Sequence, residues 1–102
     1  MENLAKSEHL RWCAFHYSMG FSPMTKEEFN KRAERYKQEI SQNVEKPIRI
    51  NKDMDKKIHA CLIEWDELDM LSEAENKVTG GDTDYKKNDY DNVLALLSLM
   101  KN

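Results

Sequence analysis

The feature that most constrains this chain is a carboxylate on the apolar side of its first helix. The pattern predicts a helix over residues 3–19, ended by Gly20. One acidic and four apolar residues share a side at helical spacing: Leu4, Glu8, Trp12, Phe15 and Met19. Because a buried carboxylate needs hydrogen-bond partners, we expect Glu8 to pair with Arg11 on the same helix and to accept hydrogen bonds from backbone amides of a neighbouring segment.

Composition limits the classes of protein to which the chain can belong. Of its 102 residues, 39% are hydrophobic and 34% are charged, and the formal net charge is −3. These values are typical of one globular domain spanning residues 1–102, and the negative charge does not favour DNA or RNA as a partner. We expect no membrane insertion, because no run of about 20 apolar residues is present. Without a signal-peptide pattern, and with Cys13 and Cys61 as free thiols, the chain is expected to be cytoplasmic.

The remaining pattern is mainly helical. Thr25 and Glu28 form a capping box that starts a charged second helix near Lys26, which we predict to end near residue 43. Residues 47–50 are a short β-branched run that fits a strand, and residues 51–57 are too polar for the core. Residues 58–63 are an apolar run that fits either an extended segment or a short helix. A short helix is predicted over 64–71 and a polar loop over 76–88. We therefore expect a mainly α fold with one short pair of strands, and α+β as the alternative.

The last helix, predicted over residues 89–100, is apolar around more than half of its circumference. Such a helix either forms the centre of the core or provides half of an oligomer interface. In the first arrangement it packs against the opening helix, with Trp65 closing the core.

Several short motifs together resemble one known family, the ryanodine receptor repeat domain in its single-copy bacterial and phage form. The first is Glu-His-x-Arg-Trp at 8–12, followed by Gly-Phe at 20–21. The others are His-x-Cys-Leu at 59–62, Trp-Asp-Glu-Leu at 65–68, and an Asp just before Asn-Val at 92–93. The resemblance covers most of the chain and implies a small helical domain without catalytic activity or a cofactor.

The resemblance also implies a class of function. In the receptors, the repeats act in tandem pairs as cytoplasmic regulatory and interaction modules, and one pair is similar to a nucleotide-binding clamp. We therefore expect a non-catalytic regulatory module that senses a nucleotide-like ligand. The alternative is a protein-interaction or self-association module that uses the apolar last helix, with a homodimer recreating the tandem pair.

Five residues are candidates for the ligand site. A guanidinium suits a phosphate and an indole suits the face of a base, so Arg11, with Trp12 or Trp65, is expected to line the pocket beside Glu8. Tyr85 is expected to close over the ligand from the polar loop. The alternative is structural: Glu8 and Arg11 form an ion pair, the two tryptophans belong to the core, and the loop is solvated.

Histidines and cysteines also recur at regular spacing. His9, Cys13 and His16 form one stripe of the first helix, and His59 and Cys61 are two residues apart. Two His and two Cys can form a tetrahedral zinc site, but ordinary packing explains the same pattern, since a buried free cysteine behaves as a small apolar residue. We expect no metal.

Overall fold

Four α-helices and a sheet of three very short strands make up residues 1–100, the part of the chain described by the computed structural model. The helices are α1 (Glu2–Ser18), α2 (Lys26–Ser41), α3 (Leu68–Thr79) and α4 (Tyr85–Met100). The strands are β1 (Ser22–Pro23), β2 (Lys52–Asp53) and β3 (Ile58–His59). The predicted mainly α fold with short strands is confirmed, although the sheet has three strands in the order β1-β3-β2, with β1 parallel and β2 antiparallel to β3.

The core lies where α1, α4 and the start of α3 meet. Its buried centre consists of Ala5, Cys61, Trp65 and Leu68. One turn of 3-10 helix at Trp65–Glu67 leads directly into α3, so the second indole enters the core beside Leu68. The predicted packing of the first helix on the last, with Trp65 closing the core, is confirmed.

The buried side of α1 differs from the predicted one. Leu4, Phe15 and Met19 are exposed, and the buried residues are Ala5, Glu8, His9 and His16. The helix is rotated because Ala5 allows close packing and because His9 reaches the Ile63 carbonyl outside the helix. Apolar periodicity does not detect a buried side built from a small residue and hydrogen-bonded polar rings.

The start of α2 follows the prediction. The hydroxyl of Thr25 accepts a hydrogen bond from the Glu28 amide at 3.1 Å, and the Glu28 carboxylate accepts one from the Thr25 amide at 3.1 Å. These two bonds satisfy amide groups at the helix start that have no partner within the helix. The helix ends at Ser41, slightly before the predicted end.

The connection before α4 is shorter than predicted. Instead of a loop over 76–88, α3 continues to Thr79 and α4 begins at Tyr85. Gly80 ends α3 with a positive φ of 73°, a conformation that glycine adopts without strain. The side chain of Asn76 donates to the Thr83 carbonyl at 2.9 Å and accepts from the Thr83 amide at 2.8 Å. Polar residues here fix a tight turn between two helices.

The segment before β3 also departs from the prediction. The strand on this side is Lys52–Asp53 instead of residues 47–50. Asn51, which we placed in a stretch too polar for the core, is buried and pairs with a tyrosine of α4. The run 58–63 is extended at Ile58–His59, which selects one of the two predicted alternatives.

The last helix is only partly in the core. Asp89 and Val93 are buried in its first half. Leu96 and Met100 follow at helical spacing on the same side, yet they are 53% and 79% exposed. The side of α4 that packs against the core therefore continues uncovered in its last two turns. Over residues 1–100, no helix has both the length and the apolar character needed to cross a bilayer.

The capping box generates a stability prediction. Thr25→Ala removes the hydroxyl acceptor at the start of α2, and we expect it to lower the free energy of unfolding by about 1 kcal/mol. Thr25→Ser keeps a hydroxyl and should retain most of the stability. Urea unfolding of both variants measures the effect, and equal stabilities would contradict a capping role for this side chain.

Candidate ligand-binding site

A cavity of about 270 Å³ lies between α1, the segment before β2, β3 and α4. Aromatic rings of α1 and β3 line it, together with charged and amide side chains from the other elements. Its volume lies just below the range of typical small-molecule pockets, so it can enclose one planar group of a ligand.

Three aromatic rings form a cluster at this cavity. The ring centroids of Trp12 and His16 are 3.8 Å apart, with planes tilted by 32°. His59 meets Trp12 edge-on at 4.9 Å and His16 at 5.6 Å. Residues on neighbouring turns of α1 supply the first two rings, and β3 supplies the third. The cluster gives this side of the cavity an aromatic lining.

Hydrogen bonds fix the protonation of these imidazoles. His59 Nδ1 accepts a hydrogen bond from the Cys61 amide at 3.0 Å, so the ring proton of neutral His59 is on Nε2. His16 Nδ1 donates to the Trp12 carbonyl at 2.9 Å. Burial, together with the positive charges of nearby residues, lowers the pKa of His59 to about 3. This ring is therefore neutral, with Nε2–H as a donor, over the whole physiological range.

His9 and Asp89 connect α1 to α4 at the cavity. His9 Nε2 donates to the Ile63 carbonyl at 2.8 Å, and its Nδ1 lies 3.5 Å from Asp89 Oδ2. The Asp89 carboxylate raises the pKa of His9, and the Ile63 carbonyl adds to this, although burial opposes both. When His9 is protonated, one ring nitrogen faces the Ile63 carbonyl and the other faces Asp89. The ring therefore holds the Asp89 carboxylate in a defined position.

Two cations stand at the mouth of the cavity, Arg49 and Lys52. Arg49 is exposed, and among residues 1–100 it makes no ion pair. Its backbone is nonetheless held firmly, since Nε and Nη2 of Arg32 donate to the Arg49 carbonyl at 2.8 and 2.6 Å. Arg32 also pairs with Asp53 at 3.2 Å. The outer helix α2 therefore fixes the strap, residues 49–53, that carries these cations.

Tyr85 forms the wall at the start of α4. Its hydroxyl accepts a hydrogen bond from Asn51 Nδ2 at 2.5 Å and donates to the Glu75 carboxylate. Burial is the main reason that the pKa of Tyr85 is raised, and burial likewise raises the pKa of the Cys61 thiol beside it. Both groups remain protonated, so neither adds a charge to the cavity, and Tyr85 is fixed in place.

The structure separates the five candidate residues into two groups. Trp12 and Tyr85 line the cavity, whereas Glu8, Arg11 and Trp65 do not. Trp65 packs edge-on against Tyr90 at a centroid distance of 5.9 Å.

Glu8 and Arg11 form a two-pronged ion pair on the flank of α1. The Arg11 guanidinium donates to both carboxylate oxygens, at 2.9 and 2.5 Å, and this hydrogen bonding lowers the pKa of Glu8. The predicted pairing is confirmed. The predicted backbone partners are wrong, because within residues 1–100 no backbone amide donates to the Glu8 carboxylate.

Several cavity residues were not candidates from the sequence. His9, His16 and His59 were considered as metal ligands, and an Asp before Asn92-Val93 only as part of the motifs that carry the resemblance. The sequence signal was weak: positions 88, 89 and 92 are polar, but so are 86, 87 and 91 in the same half of the helix. The first three positions share one face of a helix, and in the structure all three line the cavity.

Over residues 1–100, no group of three or more His, Cys, Asp and Glu side chains has a metal-binding arrangement. Comparisons with protein-family models, curated proteins and solved structures found no match to this chain. The resemblance to the ryanodine receptor repeat therefore stays a prediction.

The low pKa of His59 generates a prediction about pH. Unfolded His59 binds a proton below about pH 6.5, whereas folded His59 does so only near about 3. The free energy of unfolding should therefore fall as the pH drops from about 6.5 towards 3, by up to ~1.4 kcal/mol per pH unit from this residue. His9 acts in the opposite direction, because its pKa is raised in the folded protein. Its contribution to the free energy of unfolding is complete below about pH 6.5 and is lost as the pH rises through the raised pKa.

His59→Asn isolates this effect. The amide oxygen of asparagine can replace Nδ1 as acceptor for the Cys61 amide, but it does not titrate. We expect the difference in unfolding free energy between wild type and variant to decline between pH 6.5 and 4.5, as measured by urea unfolding at several pH values. Parallel pH profiles for the two proteins would contradict the assignment.

Proposed function

We propose that this chain is a non-catalytic binding module that takes a planar, anionic ligand of the mononucleotide class into the cavity beside Trp12. The observation that carries the proposal is the close aromatic pair Trp12–His16, located in the same cavity as the unpaired guanidinium of Arg49. An aromatic surface suits the face of a base, and the planar fork of an arginine suits a phosphate.

The dimensions and charges of the cavity support this ligand class. A volume of about 270 Å³ suits a base, while the phosphate remains at the mouth, where Arg49 and Lys52 are found. Desolvation of the base against aromatic rings favours binding, and the exposed position of Arg49 leaves its donors free for the phosphate.

The chemistry of the cavity supports binding over catalysis. The one thiol in its lining, Cys61, has a raised pKa because it is buried, and a protonated thiol is a poor nucleophile. A regulatory module of this kind would report the ligand through the contact between α1 and α4, which forms one edge of the site.

Arg49→Gln tests the proposal. We expect this variant to weaken the binding of a mononucleotide by about tenfold or more, since a charge-assisted bond to phosphate is lost. Binding of the matching nucleoside, which has no phosphate, should be unchanged. Isothermal titration calorimetry measures both ligands.

Lys26→Gln is the matched control, because it removes the same charge from an exposed position at the start of α2. An equal loss of affinity in both variants would indicate a general electrostatic effect and would contradict a specific phosphate contact.

A second candidate function is self-association through α4, and the uncovered end of this helix favours it. Residues 92–100 carry no charge, and Leu96, Leu99 and Met100 are 53%, 74% and 79% exposed. A helix that is apolar on all sides normally lies within a larger core. A patch limited to one side of the last two turns is smaller than the ~800 Å² per partner of a standard interface. The proposed partner is a second copy of the chain in a weak dimer.

Replacing Leu96 and Leu99 with lysine tests this candidate. We expect the wild-type protein to show a mass that increases with concentration in size-exclusion chromatography with light scattering, and the double variant to remain a monomer, because buried lysines would lack partners. Met70→Lys, an equally exposed position on α3, is the control and should leave association unchanged. A wild-type protein that is monomeric at high concentration would contradict the dimer.

A further inference from the structure

The Asp89 carboxylate is a buried anion in the wall of the proposed ligand cavity. It is 7% exposed and lies one turn into α4. One oxygen, Oδ2, lies 3.5 Å from His9 Nδ1. Its other oxygen has no hydrogen-bond donor among residues 1–100. Buried carboxylates normally accept several hydrogen bonds, so this one has accepting capacity left for a ligand.

The contacts around Asp89 keep it available. His9 is held by the Ile63 carbonyl at 2.8 Å and therefore approaches the carboxylate from one side only. Asn88 and Asn92, the neighbours of Asp89 on the same face of α4, also line the cavity. Their side-chain amides are uncharged, and among residues 1–100 neither donates a hydrogen bond to Asp89. The cavity thus has an aromatic surface, cations at its mouth and a fixed pair of acceptors in its wall.

A fixed carboxylate distinguishes between the bases by their edges. Guanine presents two adjacent in-plane donors, N1–H and the N2 amino group, which match the two oxygens of a carboxylate. Adenine and cytosine place a ring acceptor beside their amino group, and that acceptor would repel the carboxylate. Uracil has one N–H between two carbonyls. The neutral His59 ring adds a donor, since its Nε2–H has no acceptor among the described residues and can serve the carbonyl beside guanine N1.

We propose that the ligand is a guanine mononucleotide and that Asp89 is the residue that determines this specificity. The inference rests on the proposed function, because it assumes that a base stacks beside Trp12. Beyond the proposed function, the inference specifies guanine as the base and Asp89 as the residue that recognises its edge. His9 is a positioning residue, since it orients the carboxylate without touching the base.

Calorimetry on the full chain with GMP, IMP, AMP and XMP tests the inference. GMP should bind most tightly. IMP, which lacks the N2 amino group, should bind about tenfold more weakly because one hydrogen bond to a charged acceptor is lost, and AMP more weakly still. This series needs no variant, so it is independent of any effect of a substitution on folding.

Asp89→Asn provides the second arm. An asparagine keeps one acceptor for N1–H but presents an amino group where guanine has its own, so GMP affinity should fall by about tenfold or more. XMP, which has a carbonyl at that position, should bind the variant more tightly than GMP does. Asp91→Asn is the matched control, because it removes a charge from the same helix at an exposed site paired with Lys87, and it should leave the order of affinities unchanged.

The outcomes separate this inference from the proposed function. A reversal towards XMP in the Asp89 variant, with GMP preferred by the wild type, supports the inference. Equal affinity for all four compounds, or a preference for AMP, overturns it while leaving nucleotide binding in place. If no mononucleotide binds, both the inference and the proposed function are overturned.

Discussion

The structure depends on the way a single imidazole is held between α1 and the rest of the chain. His9 donates to the Ile63 carbonyl and faces the Asp89 carboxylate, which ties the first helix to the segment before α3 and to the last helix. A buried imidazole without these partners would carry a large desolvation penalty. The rotation of α1, which exposes Leu4 and Phe15 to solvent, follows because only one orientation of the helix brings His9 between its two partners.

The sequence predicted most of the helical framework because caps and turns are local. The box formed by Thr25 and Glu28 fixed the start of α2, and the apolar character of the last helix predicted its packing on α1. The buried side of α1 was missed because its rings are polar and depend on partners 54 and 80 positions away in the sequence. The helical residues within 76–88 were missed because the two hydrogen bonds between Asn76 and Thr83 form only once the turn has formed.

Only part of the candidate site was predicted, because several of its residues come together only in the fold. Trp12 and Tyr85 line the cavity, and an indole in a small protein is a strong signal for an aromatic contact. Arg49 and Asp89 were missed because neither stands out in the sequence from the other charged residues. Their role depends on the fold, which brings a strap from the middle of the chain over a polar stripe of the last helix. The motif Glu-His-x-Arg-Trp contributed His9 and Trp12 to the cavity lining, whereas its glutamate and arginine form an ion pair outside that lining.

The two bonds from Arg32 to the Arg49 carbonyl have a consequence for the kinetics of binding. A strap that orders only around its ligand must lose conformational entropy on binding, and that loss weakens affinity. Here a residue on the outside of α2 has already immobilised the backbone that carries Arg49. A ligand of the proposed class would therefore meet a preorganised mouth, so its association rate should approach that of a rigid site, and the lifetime of the complex should depend on the interactions of the base and phosphate.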